Sequence, residues 1–190
     1  MYRTVALTLT LATLTAGALR AQDAAKDAAK KAKLASALSS APTSVTDQAT
    51  IMDWDNTVLR PGTNGWTCFP DMPENTGTDP MCLDGPWVNW AHAWMTKTKP
   101  TYAKMGFGYM LAGSGAESNT DPYAKGPTPD NQWIDRNIPH IMVIVPDPAM
   151  LEGLSTDPNN GGPWVMWKGT PYVHIMVPTP EMAPHMPMRR

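Results

Sequence analysis

DGPWVNWAHAWMTKTKP, residues 84–100, carries the strongest helix signal in the chain. Asp84 suits an N-cap, and Pro86 is tolerated in a first helical turn, where its missing N–H costs nothing. Trp87, Trp90 and Trp94 recur at i, i+3 and i+7, so their indoles share one stripe with Leu83 and Ala91. Lys97 and Lys99 complement the C-terminal dipole, and Pro100 stops the helix. A stripe of three indoles needs a surface to cover, and the flanking sequence supplies strands. In KMGFGYML, residues 104–111, Gly106 and Gly108 fall on one face and Met105, Phe107 and Tyr109 on the other. The glycine face permits close approach of the tryptophan helix.

Further strands are expected at 49–54 and 57–60, around Asp55-Asn56, and at Trp66–Phe69. The last of these returns from the Pro61-Gly62-Thr63-Asn64-Gly65 turn, which has the Asn-Gly signature of a tight hairpin. HIMVIV at 140–145 is the best strand, 147–154 suits a short helix, and 171–177 closes the domain. The expected fold is α+β. It is a single small domain with an antiparallel or mixed sheet of about five strands and one Trp-lined helix packed on it. Residues 112–138 read as a long polar loop of the kind that is often functional or mobile.

Outside the domain, MYRTVALTLTLATLTAGALRAQ has the pattern of a secretory signal peptide. Arg3 precedes a short apolar run, and Ala16-Gly17-Ala18 and Leu19-Arg20-Ala21 offer cleavage sites. Residues 1–21 are therefore read as signal, 22–44 as an Ala/Lys-rich spacer, 45–178 as the domain and 179–190 as a Pro/Met-rich tail. Export places the protein in a bacterial periplasm or outside the cell. Loss of Arg3 and Arg20 leaves 13 basic and 17 acidic groups, a net charge of −4. That balance lacks the basic footprint of a nucleic-acid partner, and no second apolar run reaches membrane-spanning length. With 14 Met and 8 Trp against 2 Phe, methionine and tryptophan must build much of the core.

Cys68 and Cys82 are the only cysteines, and in an exported protein an isolated pair is expected to form a disulfide. In the chain-entropy account, closing their loop contributes about 3 kcal/mol. The alternative, a thiolate metal site assisted by Met72 or Met81, lacks the short spacing such sites use.

The sharpest chemical hint is a repeated His-x-Met. His140 and Met142 share one side of a strand, as do His174 and Met176. Paired in register, two imidazoles and two thioethers form a soft ligand set suited to Cu(I). Met182, His185, Met186 and Met188 add similar donors in the tail. Trp66, Trp133, Trp164 and Trp167 lie off the helix stripe and suit either the core or a stacking platform for a flat ligand. Catalytic motifs are weak. Gly113-Ser114-Gly115 lacks the nucleophile-elbow pattern, and Asp53-Trp54-Asp55-Asn56 lacks the Gly and Glu of a calcium loop.

The segments TNGWTC (63–68), DPMCLD (79–84) and GGPWVMWKGTPYVHIMVP (161–178) resemble a set of small exported bacterial proteins of uncharacterised function. The resemblance implies export and carries over no catalytic residue. The reading favours a ligand- or partner-binding module over an enzyme, its ligand a small molecule or a protein. Periplasmic copper binding is the alternative, and an exported hydrolase comes third.

Overall fold

The computed structural model describes residues 6–72 and 77–179. Its elements, in chain order, are α1 (Ala6–Leu38), α2 (Thr43–Thr46), β1 (Thr50–Met52), β2 (Val58–Arg60), β3 (Thr67–Phe69), β4 (Met81–Leu83), α3 (Gly85–Met95), β5 (Gly106–Met110), β6 (Glu117–Ser118), β7 (Trp133–Ile134), β8 (His140–Ile144), a single 3-10 turn at Pro148–Leu151, β9 (Trp164–Met166) and β10 (His174–Pro178). The fold is α+β. Its mixed sheet has eight strands in the order β2-β1-β3-β4-β5-β8-β10-β9, more than the five expected, and β6-β7 form a separate small hairpin. β4 and β9 account for part of the excess, because three residues are too few to show a period.

The tryptophan helix forms as its sequence dictates. The Asp84 carboxylate accepts from Trp87 N at 3.0 Å and, through its other oxygen, from Phe107 N at 2.8 Å, so one side chain caps α3 and ties it to β5. The glycine face of β5 lies beneath. A Cβ on Gly106 would sit 2.8 Å from Pro86, and one on Gly108 would sit 2.9 Å from Leu83 and from the ε-methyl of Met142. Trp87 and Trp90 are buried in the main core with Leu83, Ile144, Trp164, Met166 and Met176.

The opposite face of the sheet is built differently. Ile51, Cys68 and Cys82 follow one another across β1, β3 and β4, and the two cysteines are bonded to each other with Cα atoms 3.9 Å apart. Ala37, Ala41 and Ala49 are buried against them, with Leu34 and Leu38 packed alongside. Lys33 pairs with Asp53, and Ser36 Oγ accepts from Asp71 N at 2.9 Å. The spacer reading of 22–44 therefore needs correction. The last part of that block is packed and hydrogen-bonded, so the fold begins before Val45. No helix among the described residues is long and apolar enough to cross a membrane.

The Asn64-Gly65 turn also departs from expectation. β3 does not return beside β2 but runs parallel to β1 on its far side. Gly62 makes that crossing possible, since a Cβ there would lie 2.1 Å from Thr50 N. Thr63 N and Asn64 N then donate to the Gln48 carbonyl, carrying the chain past the start of β1.

Candidate functional site

The His-x-Met strands are neighbours. β8 and β10 pair antiparallel, with Met142 opposite Met176 and His140 opposite Pro178. All four candidate metal donors face α3. The register nevertheless offsets the backbone positions of the two histidines. His174 lies four residues from Pro178 along β10, about 13 Å at the rise of a strand. Met142 is used as packing, since its ε-methyl fills the gap over Gly108 beside Leu83 and Trp87. Among the described residues no group of three or more His, Cys, Asp or Glu is placed to hold a metal ion. Met182, His185, Met186 and Met188 lie outside the described residues.

His140 and His174 are 1% and 3% exposed, and the two strands hold them alike. His140 Nδ1 lies 2.7 Å from the Ile138 carbonyl, and His174 Nδ1 lies 2.9 Å from the Tyr172 carbonyl. A carbonyl only accepts, so each Nδ1 carries the proton. Burial pushes both imidazoles down to about 4, and at His174 the charge of His140 contributes to the lowering. Around His174 stand three indoles, Trp87 at 5.4 Å, Trp90 at 5.4 Å and Trp167 at 5.0 Å between ring centroids, each nearly perpendicular to it. The Nε1 groups of Trp87 and Trp90 are buried without a hydrogen-bond partner.

The roof of this chamber is the polar 112–138 segment. Its organiser is Asn119, 2% exposed. The Asn119 amide donates to Gln132 Oε1 at 2.6 Å and to the Thr156 carbonyl at 2.9 Å, while its Oδ1 accepts from Trp164 Nε1 at 3.0 Å. Trp167 is drawn in from below, donating its backbone N–H to the Asn119 carbonyl at 2.8 Å and its Nε1–H to the Ser118 carbonyl at 2.7 Å. It does so at φ +55°, a left-handed conformation that costs a bulky residue about 1 kcal/mol or more. Its ring stacks on Trp90 at 5.7 Å and Trp94 at 6.3 Å. Tertiary hydrogen bonds, not local sequence, hold that conformation.

Where the chamber ends, the surface opens. Arg136, Ile138, Pro158, Asn159, Trp164 and Pro178, with Gly161 and Gly162, line a groove of about 280 Å³. A second depression shares Arg136, Pro158 and Asn159 and is bounded by Gln132, Trp133, Ile134 and Asp135. One guanidinium N–H of Arg136 donates to the Pro158 carbonyl at 2.6 Å. The only ion pair among the described residues is Lys33–Asp53, so Arg136 has no carboxylate partner. Gly161, at φ +78°, leaves open space above its backbone.

The four tryptophans off the helix stripe thus divide. Trp133 and Trp164 border these depressions, Trp167 lies in the chamber, and Trp66 tilts against Tyr109 at 5.4 Å on the other face of the sheet. Arg136 and Asn159 escaped the sequence reading. Asn159 is signalled only by the turn word Pro158-Asn159-Asn160-Gly161-Gly162 and Arg136 only by its place in the 112–138 loop, and both mark a loop without saying what the loop faces.

Another titratable group is displaced. Half-buried Glu117 is pushed up to about 7, first by burial and then by the nearby Asp79 carboxylate. Asp79 itself accepts from Met72 N at 3.0 Å, and its own N–H donates to Asp71 at 2.7 Å, so backbone donors account for two of its contacts.

No protein-family model, no curated protein and no solved structure matches the chain.

Proposed function

We propose that this chain is an exported binding module, not an enzyme, and that it takes a small ligand in the groove at Arg136. One observation carries the reading: a guanidinium without a carboxylate partner stands over an apolar floor of Ile138, Pro158, Trp164 and Pro178. Binding sites combine apolar lining with a few fixed polar groups in this way. The floor is rigid because Trp164 is tied to Asn119 and thereby to the roof of the core. Export is supported by the signal-like pattern of the 1–21 segment and by a disulfide, which persists in oxidising compartments.

The His-x-Met reading takes second place because the register offsets the two histidines along their strands and Met142 packs into the Gly108 gap. No ordered nucleophile motif supports a hydrolase.

The test is an amide NMR titration of the protein recovered from the periplasm or medium, its N-terminus read by mass. Acidic, basic and neutral small molecules are screened separately. Shift changes centred on Arg136, Asn159, Gly161, Gly162 and the Trp164 indole are expected with at least one class. Changes confined to other surfaces would overturn the groove as the binding site, and an N-terminus still at Met1 would overturn export.

A further inference from the structure

We infer that the groove selects small molecules bearing a single carboxylate on an apolar body, an assignment that rests on the groove being the binding site. Arginine presents five N–H donors in a planar fork that matches a carboxylate. Here one donor is committed to the Pro158 carbonyl, which fixes the plane of the guanidinium and leaves the others for a ligand. Among the described residues the Asn159 side-chain amide makes no hydrogen bond, and it lines the same groove. It adds a second donor without adding charge.

The surrounding charges set the valence. Asp135 borders the adjoining depression beside Arg136, and the Asp157 carboxylate accepts from Asn159 N at 2.9 Å. Neither carboxylate pairs with the guanidinium, but both add negative charge to this side of the groove, which opposes a dianion such as a phosphate monoester more than it opposes a monoanion. Size favours a free small acid over a polypeptide terminus. The groove's 280 Å³ falls just below the range of about 300–1,000 Å³ usual for ligand sites, and prolines 158 and 178 wall it. The apolar body would lie on Ile138 and Trp164.

The probes are N-acetyl-leucine, its uncharged isostere N-acetyl-leucinamide, a hexapeptide ending in leucine, and inorganic phosphate, each titrated into the full chain. N-acetyl-leucine is expected to shift Gly161, Gly162 and the Trp164 indole, and to bind about tenfold or more tighter than the amide, as loss of a charge-assisted pair predicts. Arg136→Gln should abolish that preference. Because Arg136 also holds Pro158, a second variant guards the result: Asn159→Asp adds a negative charge at an exposed position and should weaken the acid about tenfold while leaving the other amide signals in place. Equal binding of acid and amide would overturn the inference, as would silence with all four probes. Tighter binding of phosphate or of the hexapeptide would overturn the monoanion and small-molecule assignments respectively. Capture of a basic or neutral compound in the groove would sink the carboxylate and leave the binding module standing. Shifts elsewhere would sink both.

Discussion

The chamber around His174 and the groove at Arg136 share a wall and differ in almost everything else. The chamber holds the chemically expressive residues: two imidazoles, two facing methionines and three indoles. All of them are buried, and the 112–138 segment is clamped over them by Asn119. The groove is lined by prolines, glycines, an asparagine and one arginine, and it is open. Residue types that could ligate or catalyse are here consumed by packing, whereas an arginine without a carboxylate partner faces solvent. Access, more than side-chain repertoire, separates a core from a site.

That contrast is most easily broken at Trp90. Its ring touches Trp87 at 4.5 Å, Trp167 at 5.7 Å and Tyr172 at 5.9 Å, so Trp90→Ala removes the centre of the cluster. Urea unfolding should show a loss of about 3–5 kcal/mol. A loss below about 1 kcal/mol would mean that the cluster is not a closed core.

Acid acts next, and its sign follows from burial. His140 and His174 sit near 4 in the folded protein against an ordinary 6.5. Between those values the unfolded chain binds protons that the folded chain refuses. Their contribution is complete above pH 6.5 and is lost as pH falls toward 4, on the order of 3 kcal/mol per histidine. Replacing both by glutamine should flatten this part of the stability–pH curve. A curve unchanged by the double replacement would place the histidines in contact with water.

The groove should respond least. Arg136 is exposed and makes one hydrogen bond, so Arg136→Gln should change stability by no more than about 0.5 kcal/mol. A loss of several kcal/mol would make Arg136 a structural residue and remove the distinction between the two regions.

How much of this was legible depended on whether local signals and tertiary context agreed. In α3 they agreed: cap, stripe and stop pointed one way, and the glycines of β5 marked where the helix would lie. They parted in the echo of Gly85-Pro86-Trp87-Val88 by Gly162-Pro163-Trp164-Val165. The first copy follows the capping carboxylate of Asp84 and is helical. The second follows Gly161 and is a strand, its Val165 N–H donating to the Ser155 carbonyl at 2.7 Å. One preceding residue and a distant carbonyl change the outcome of the same word.

The hairpin expected at Asn64-Gly65 failed for a similar reason. The turn residues specify a reversal, but Gly62 lets the chain pass against the backbone of β1, and the return strand pairs on the other side. In the candidate site the His-x-Met repeat correctly placed two strands with their donors on one face. Register, which periodicity cannot supply, sets Met142 opposite Met176 and offsets the two histidines along the strands. The polar composition of 112–138 marks it as a long loop of the kind that is often functional or mobile. Asn119 makes it a roof by satisfying its buried polar atoms internally.

The most direct measurement of the sealed chamber is the protonation of its two imidazoles in the native state, read from long-range ¹H–¹⁵N spectra as pH is lowered. The account predicts that His140 and His174 keep the neutral Nδ1–H tautomer well below pH 6.5, and that neither takes up a proton until near pH 4 or until the native signals vanish on unfolding. Native imidazole signals that titrate near 6.5 would contradict it. They would show the chamber open to solvent and bring the alternative site of His140, Met142, His174 and Met176 forward.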